Sequence, residues 1–595
     1  MFSSSLLPAR RRSLAAGLGL LLLAWGTSAY VASAGAATPA AGTVSAGGDR
    51  SVSWTGGPFA APNVTGTGLD QPDCSVPDAC DDFDLRVDAP ADFATRHQLR
   101  IRVAWPTAAA DFDVYLLDAQ GNAVATAASS SDPEVILAAP RAGDYTVRVV
   151  PFAPAGSSYT ASARLVDKQA DPAPGTARRP HFRTYRAPRT LPDHNDAGEP
   201  SIGNSFKTGA TLFQAYLSTY RVTFADGRAT WRDASATAAR GCPQGSTVSL
   251  DPILVTDRRT GRTLESQLTG VDSLSCLTDD DGRTWRPSQG GGIPSGVDHQ
   301  SLGGGPYAAD GVGGLPSSDY PHAVYYCSQS IAAAFCAASR DGGTTFGPGV
   351  PTYDLSECGG LHGHVKVGPD GTAYLPNKGC GNDQAVVVSR DNGLTWQVRP
   401  VPPSTPGDSD PSVGISADNT VYVGYVGADG RPAVATSTDH GRTWRHGQRV
   451  GTEFRLRNAV FPTVVAGSDD RAAFAYLGTP REGNYQDAAT FRRAVWHLYV
   501  TTTYDGGRTW VTSDATPRDP VQRGSICTGG TTCGDDRNLL DFIDVTLDRR
   551  GRVLVGFADG CINACVTHRS RNGHDAYATI ARQSSGRTLF PKYDR

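Results

Sequence analysis

Short runs of alternating apolar and polar residues dominate the chain between positions 81 and 166. They include DLRVDAP from Asp84, QLRIRVAW from Gln98 and DYTVRVVPF from Asp144. A period of two is typical of a strand with one buried face. The residues DAQGN at 118–122 supply turn chemistry between two runs. This pattern predicts a small β-sandwich.

From residue 199 onward, one eight-residue pattern, Ser/Thr-x-Asp-x-Gly-x-Thr-Trp/Phe, recurs with a spacing of roughly fifty residues. One copy, SRDNGLTW, begins at Ser389. The third residues of the five copies are Asp280, Asp341, Asp391, Asp439 and Asp505. Short strands repeated at this period predict a β-propeller with four strands per blade. No helix-period apolar stripe fills the units, which argues against a helical solenoid.

A second repeated element opens each unit, as a short strand that follows a corner residue. Seven openings are found: EPSIG at Glu199, DPILV at Asp251, DHQSLGGG at Asp298, HGHVKVG at His362, DPSVGIS at Asp410, FPTVVAG at Phe461 and DFIDVTL at Asp541. Degraded copies of the eight-residue pattern end at Trp231 and Phe590. The fold class is therefore all-β, with seven blades favoured. Six blades are the alternative if the first or last unit is an addition to the propeller and not a blade.

The chemistry of the eight-residue pattern is that of a hairpin turn. A carboxylate such as that of Asp391 can accept hydrogen bonds from the backbone N–H groups of its own loop. Gly393 can adopt a positive φ, and Trp396 can bury its ring between neighbouring blades. We therefore expect a structural role for these aspartates. A calcium site in TDDDG at 278–282 is the functional alternative, but it lacks the alternating ligands of an EF-hand loop.

The repeated pattern resembles the Asp box of the sialidase superfamily, and the resemblance covers about two thirds of the chain. It implies a propeller whose Asp boxes lie on outer hairpins, away from the active-site end. It also implies an extracellular glycan or glycoconjugate as partner, and glycoside hydrolysis as the activity to test. The order DFDVYLLDAQGN from Asp111, AGDYTVRVVPF from Ala142 and SSYTASARL from Ser157 resembles the pre-peptidase C-terminal domain over about ninety residues, which implies an accessory or binding role.

These patterns divide the chain into five segments. Residues 1–34 are predicted to be a signal peptide, because three arginines precede a short apolar run and the small residues at 32–34. An uncleaved membrane anchor is the alternative. Residues 35–80 are predicted to be a Gly/Ala/Ser-rich lead-in, 81–166 the sandwich, 167–198 a linker and 199–595 the propeller. The protein is thus expected to be secreted, without a membrane span after cleavage.

Charge and cysteine content narrow the function classes further. A formal net charge of −4 gives no basic footprint, so nucleic acid is not an expected partner. Twelve cysteines in an exported chain indicate disulfides. Proximity suggests the pairs 74–80, 242–276, 327–336, 358–380, 527–533 and 561–565. A zinc site is the alternative, but its two-plus-two spacing is missing. No cofactor is expected, and the oligomeric state is open.

The candidate functional residues lie at the unit openings, because a propeller's innermost strands converge on one channel. Carboxylates that share a pocket can hold different pKa values and divide acid and base roles. The predicted catalytic residues are Glu199, Asp251, Asp410 and Asp541. His299 and Asp544 are further members of this set. Each carboxylate could instead serve a structural turn.

Predicted substrate contacts are Arg186, His362, His364 and Asp298. His362 and His364 lie two residues apart and would share one side of a strand. A divalent metal at this pair is an alternative, without a third ligand fixed by spacing. By the resemblance, YRAP at 185–188 weakly matches the first arginine motif of sialidases, with Ala in place of Ile. Arg455, Arg457 and Arg492 are further arginine candidates, and no Tyr–Glu pair is assignable.

Two functional hypotheses follow. The first is an exported glycosidase-like enzyme that uses carboxylates at the channel end. The second is a non-catalytic secreted propeller that binds glycan or protein there. A protease is not supported, because neither Gly-x-Ser-x-Gly nor His-Glu-x-x-His is found in the chain.

Overall fold

The computed structural model describes most of the chain after residue 35. The described ranges are 36–63, 72–76, 79–90, 92–95, 97–107, 109–128, 132–167, 178–243, 249, 251–269, 273–288, 298–309, 320–330, 333–354, 356–530, 533–568 and 572–594. The predicted signal peptide lies outside the described residues. None of the described helices has the length and apolarity needed to cross a membrane.

The N-terminal unit is a two-sheet sandwich of nine strands. They are β1 (Ala41–Ser45), β2 (Ser51–Gly56), β3 (Asp81–Asp88), β4 (His97–Ala104), β5 (Asp111–Leu117), β6 (Ala123–Ala127), β7 (Glu134–Ala138), β8 (Gly143–Ala153) and β9 (Tyr159–Asp167). One sheet has the order β1-β3-β8-β5-β6 and the other β2-β9-β4-β7. Trp54 stacks on Phe83 with ring centroids 3.8 Å apart, in the core between the sheets.

Residues 41–56 differ from the sequence prediction, which placed them in a loose lead-in. β1 pairs with β3 in parallel, and β2 pairs with β9. Gly, Ser and Thr mask the alternation in these strands, but Val44 and Trp54 are buried in the sandwich core. The sandwich therefore begins at Ala41 and not at the predicted residue 81.

The described residues after position 180 form seven successive antiparallel sheets. Sheets 1 to 3 contain β11 (Ser201–Asn204), β12 (Thr211–Ala215), β13 (Ser218–Ala225) and β14 (Arg228–Asp233); β15 (Ile253–Thr256), β16 (Thr263–Leu268), β17 (Ser273–Thr278) and β18 (Arg286–Pro287); β19 (Asp298–Pro306), β20 (His322–Ser330), β21 (Ala333–Ser339) and β22 (Val350–Pro351). Each sheet is a meander in which consecutive strands pair.

Sheets 4 to 6 follow the same order. They contain β23 (Lys366–Val367), β24 (Ala373–Cys380), β25 (Asp383–Ser389) and β26 (Gln397–Pro400); β27 (Ser412–Ile415), β28 (Val421–Val426), β29 (Pro432–Ser437) and β30 (Arg445–Arg449); β31 (Asn458–Ala466), β32 (Ala472–Thr479), β33 (Val495–Thr503) and β34 (Val511–Asp514). In sheet 6, β35 (Gln522–Arg523) adds a second pairing to β33.

Sheet 7 combines both ends of this unit. Its first three strands are β36 (Asp544–Leu547), β37 (Val553–Asp559) and β38 (Tyr577–Ser585), and its fourth is β10 (His181–Arg186). The segment predicted as a linker, 167–198, therefore contributes a strand. The helices in the described ranges are short: α1 (Ala488–Phe491) and α2 (Ala564–Thr567), with 3₁₀ turns at Phe93–Thr95, Ala238–Arg240, Thr452–Phe454, Asp535–Arg537 and Pro591–Tyr593.

The first strands of the sheets contact one another in chain order, and β36 of sheet 7 contacts β11 of sheet 1. A cavity of about 370 Å³ is lined by residues of all seven first strands. The backbones approach closely there: a Cβ at Gly303 in β19 would overlap with the carbonyl oxygen of Val365, which precedes β23. Glycine is therefore required at this contact.

All twelve cysteines are paired, in the six disulfides expected from spacing: 74–80, 242–276, 327–336, 358–380, 527–533 and 561–565. Five of them lie within the seven-sheet unit. Cys327 and Cys336 lie opposite each other on β20 and β21. The nearest-neighbour rule was sufficient here, because the bridged cysteines are at most 34 residues apart in the sequence.

The repeated eight-residue pattern forms the turn between the third and fourth strands of sheets 2 to 6. In sheet 4, Asp391 Oδ1 accepts hydrogen bonds from Thr395 N at 2.9 Å and Ser389 Oγ at 2.9 Å, and Thr395 Oγ1 donates to Oδ2 at 2.5 Å. Asp280, Asp341, Asp439 and Asp505 make the same three bonds. The aspartates therefore hold their own turns.

The aromatic residue of the pattern packs against the preceding sheet. Trp396 of sheet 4 contacts Tyr325 of sheet 3 edge to face, with centroids 6.2 Å apart. Trp285 Nε1 donates a 2.8 Å hydrogen bond to Ala234 O, just after sheet 1. Each eight-residue pattern therefore forms a turn in its own sheet and places its aromatic ring against the preceding sheet. The sequence predicts both roles.

Replacing Asp391 with Ala should lower the free energy of unfolding by about 1–3 kcal/mol, because backbone and hydroxyl donors of the turn lose their acceptor. Asp391→Asn keeps one acceptor oxygen and should lose less. Asp469, an exposed aspartate on another turn, provides the control: Asp469→Ala should stay within about 0.5 kcal/mol. Denaturant unfolding measures all three, and equal losses for Ala and Asn would contradict the turn interpretation.

Candidate functional site

Seven corner residues lie at the face where the first strands begin, which we call the opening face. These corner residues are Glu199, Asp251, His299, His362, Asp410, Phe461 and Phe542. Since strands alternate in direction, the eight-residue turns lie at the opposite end of the sheets. The opening face therefore collects one residue from every sheet, five of them polar.

Several polar residues of this face connect neighbouring first strands. Asp251 Oδ2 accepts from Gln300 N at 2.8 Å, and Glu199 Oε1 accepts from Asp541 N at 3.0 Å. Asp544 Oδ2 accepts from Ile202 N at 3.0 Å, which joins sheet 7 to sheet 1. These carboxylates thus connect neighbouring first strands, and do not cap a turn through these bonds. Chemistry at the same residues must coexist with this connecting role.

Asp410 forms the centre of a buried charged cluster. Its Oδ2 lies 2.6 Å from His299 Nε2 and its Oδ1 lies 3.0 Å from Lys378 Nζ, with all three side chains at most 7% exposed. Burial works against ionisation of Asp410, but Lys378 and His299 outweigh it and hold the pKa of this carboxyl below its usual range. The pKa of Lys378 is raised, since Asp410 and other carboxylates outweigh its burial. The pair is therefore ionised at neutral pH.

Glu199 has the opposite character. Burial raises its pKa well above the usual range, and the charges of Asp251 and Asp541 raise it further; Arg537 and His299 oppose this. Its backbone has a φ of +53°, and His299 has a φ of +54°. Such angles are uncommon outside glycine, and they cluster at functional sites. The pKa of Glu199 is thus raised and that of Asp410 lowered, and His299 contributes to both shifts.

The two predicted histidines differ in environment. His362 is buried, its Nδ1 lies 2.8 Å from Gly363 O, and its ring is 6.2 Å from that of His299. His364 packs against Phe542 with centroids 5.0 Å apart, and burial lowers its pKa to about 4. Both lie on the opening face near the cluster. His364 is therefore neutral at physiological pH.

Asp541 precedes the corner position, which Phe542 occupies. Arg537 binds both of its oxygens, at 2.5 and 2.6 Å. Its side chain is 23% exposed, whereas Asp251 is buried. Asp541 is therefore the more accessible of the two carboxylates whose charges act on Glu199.

Arg186 lies on the outermost strand of sheet 7 and is held by two carboxylates. Its guanidinium lies 2.7 Å from Asp519 Oδ2 and 2.6 Å from Asp559 Oδ2. Burial raises the pKa of Asp559 to about 7, although Arg186 opposes this shift. Both partners occupy the planar fork that a substrate carboxylate would need. The predicted substrate contact at Arg186 therefore has no support in this geometry.

Sequence reasoning missed Lys378, Asp408 and Tyr485. Lys378 Nζ donates to Asp408 O at 2.6 Å, and Tyr485 Oη donates to Asp408 Oδ2 at 2.8 Å. A lysine inside the otherwise uncharged strand AYLPNKGC was the available signal, because a charge in a buried strand requires a partner. Tyr485 lies in the connection between β32 and β33, where no repeated sequence pattern indicates which residues it contacts.

Two remaining predictions stay untested. Asp298 begins β19, but its side chain falls outside the described part of the structure. Among the described residues, no three histidine, cysteine, aspartate or glutamate side chains are grouped so as to hold a metal ion. In TDDDG, Asp279 pairs with Arg262 and Arg286, while Asp281 accepts from Thr208.

Comparison with known proteins gives fold neighbours of low similarity. No protein-family model and no curated protein sequence matches the chain. A Hadza microbial sialidase is 14% identical, with 84% of this chain and 95% of that one covered and a TM-score of 0.34. The NanB sialidase of Streptococcus pneumoniae is 11% identical, with 82% and 95% covered and a TM-score of 0.35. A complex of Aleuria aurantia lectin with Fucalpha1-6GlcNAc is 12% identical, with 54% and 96% covered and a TM-score of 0.35. Similarity this low carries no argument about activity.

Replacing Glu199 with Gln should stabilise the protein at neutral pH. Above the ordinary glutamate pKa the unfolded chain releases this proton while the folded protein keeps it, so stability falls as pH rises toward the raised folded pKa. The glutamine side chain cannot ionise, so the variant should gain most near pH 8 and nothing near pH 3. Each pKa unit is worth about 1.4 kcal/mol. Denaturant unfolding at several pH values measures the gain, with the exposed Glu482→Gln as control; a pH-independent difference would contradict it.

Replacing Lys378 with Met should destabilise the protein by about 3–5 kcal/mol, because Asp410 keeps a buried charge without its cation. The double variant Lys378→Met/Asp410→Asn removes both charges and should recover part of this loss. Urea unfolding of the two single variants and the double variant measures the coupling. Strictly additive losses would show that the two charges do not interact.

Proposed function

We propose that this protein is an exported, seven-bladed Asp-box β-propeller that acts on or binds extracellular glycans. Seven sheets with a four-strand meander each, the contact of β36 with β11 and a cavity lined by all seven first strands support the propeller. The five Asp boxes, with the same set of turn bonds in each, support the sialidase-superfamily resemblance. Six disulfides fit an oxidising, extracellular environment.

The observation that carries a catalytic role is the buried cluster of Asp410, His299 and Lys378, together with the opposite pKa shifts of Glu199 and Asp410. Environments that push carboxyl pKa values apart distinguish acid from base. Glu199, whose raised pKa favours the protonated carboxyl, is suited to donate its proton to the oxygen of a scissile glycosidic bond. Asp410, paired with Lys378, is suited to orient the imidazole of His299.

In this mechanism the C1–O bond breaks as the leaving oxygen takes the Glu199 proton. A second carboxylate then accepts a proton from the water that attacks the anomeric carbon. Asp541 is the best candidate for that base because it is more exposed than Asp251 and Arg537 fixes its orientation. The proposed reaction uses two carboxyl groups and no arginine triad for a substrate carboxylate. It is therefore a general glycoside hydrolysis and not a sialidase reaction.

Glycan binding without hydrolysis is the second candidate, and a specific observation favours it. Glu199, Asp251 and Asp410 are each less than 10% exposed, and each forms bonds that connect structural elements. Arg186 is likewise engaged. A ring whose carboxylates all serve the fold can still present aromatic and histidine surfaces, such as Phe542 and His364, to a sugar. The sandwich then acts as an accessory domain.

A glycan array and a hydrolysis panel on the full chain test the proposal. Glu199→Gln should reduce turnover by about 100-fold or more while binding is retained, since general acid catalysis typically contributes that much. Glu265→Gln is the matched control, because Glu265 is also buried with a pKa raised to about 7 but lies on a second strand. Equal turnover in both variants would exclude Glu199 as the acid. Binding without turnover in the wild type would select the second candidate, and neither activity would reject the function.

A further inference from the structure

A second cavity, of about 600 Å³, lies between the sandwich and the seven-sheet unit. On the sandwich side it is lined by β6, β7 and the start of β8, including Val124 and Tyr145. On the other side it is lined by the loop that precedes β27 and by the turns between the second and third strands of sheets 5 and 6. Those turns belong to the opening face, because second strands end there. The sandwich thus forms one wall of a cleft beside the ring of corner residues.

The two units are in direct contact at this face. Arg102 of β4 donates hydrogen bonds of 3.3 and 2.9 Å to Asn382 Oδ1, in the turn between β24 and β25. β4 pairs with β7, which lines the cleft. The sandwich wall is therefore anchored on sheet 4, next to the sheets that form the opposite wall.

The loop from Asp408 to Asp410 connects the cleft to the ring. Asp408 and Ser409 line the cavity, and Asp410 is the next residue. Tyr485 and Lys378 hold Asp408 from two sides, and Ser409 Oγ accepts from Phe461 N at 3.2 Å. A fixed wall of three residues therefore has the cleft at one end and the candidate catalytic cluster at the other.

The chemistry of the cleft fits an uncharged sugar chain. Its described lining contains four arginines and five acidic residues, so neither sign dominates, and Arg449 pairs with Asp429 at 2.6 Å. Val124 is 43% exposed, and Tyr145 adds an aromatic side chain to the lining. Pockets of about 300–1,000 Å³ with mixed apolar and convergent polar groups bind small ligands, often between domains.

We propose that this cleft binds the neutral oligosaccharide portion of the glycan whose terminal sugar reaches the ring. The proposal rests on the proposed glycan function and names the part of the molecule that recognises chain length. The sandwich is then a structural part of the binding site, and removal of its contacts should affect long ligands more than short ones.

The test uses the full chain and the neutral glycan that binds the wild type most strongly on a printed oligosaccharide array, beside its terminal mono- and disaccharide. Val124→Lys places a long cation in the cleft, and Arg457→Gln removes a lining cation. Each variant should raise the Kd for the full-length glycan about tenfold, whereas the Kd for the monosaccharide should change less than about twofold. Val76→Lys is the matched control, since Val76 is a 63% exposed sandwich valine outside the cleft lining. Thermal unfolding checks that each variant is folded.

If the Kd rises equally for long and short ligands, or does not rise in either cleft variant, the cleft is not the oligosaccharide site. The proposed glycan function would still stand. A wild-type preference for sulfated or uronic acid oligosaccharides over neutral ones of equal length would overturn the neutral ligand. If the wild type binds and cleaves no glycan, the proposed function itself fails, and that result is visible before any variant is made.

Discussion

The backbone N–H groups along the edges of the seven first strands must find acceptors, and this need shapes the opening face. Neighbouring first strands belong to separate sheets, so side chains provide the bonds that a continuous ladder would otherwise supply. Asp251, Glu199 and Asp544 do so directly. Ser301 and Ser412 accept from Val365 N and Val464 N at 2.8 and 3.0 Å. The polar corners that recur along the sequence are explained first by this requirement.

The same requirement places ionisable groups where they are poorly solvated. Buried carboxyls that face one another cannot all ionise, so one retains its proton and another acquires cations. Accordingly, the pKa of Glu199 is raised, and that of Asp410, which pairs with Lys378, is lowered. The same polar corners therefore connect the first strands and give their carboxyl groups different pKa values.

The regular parts of the fold follow from local patterns. Alternation identifies the later sandwich strands, the eight-residue turns identify five third-to-fourth strand connections, and short spacing identifies the disulfides. β1 and β2 were missed because small polar residues obscure their apolar face. β10 was missed because its partner, β38, lies at the far end of the chain and leaves no local trace. Lys378 and Tyr485 reach Asp410 and Asp408 through packing of different sheets, which periodicity cannot reveal. Arg186 was assigned from a motif, but its role depends on Asp519 and Asp559, which that motif does not include.

The pairing of β10 with β38 has a consequence for how the molecule is made. Six residue pairs join a strand synthesised before sheet 1 to the last strand of the chain. Until β38 is available, β10 has an open edge, and the apolar faces of sheets 6 and 1 lack the sheet that covers them. Open edges and uncovered apolar surface favour association with other chains. A chain terminated before residue 577 would therefore remain aggregation-prone, because sheet 7 closes only when β38 has been synthesised.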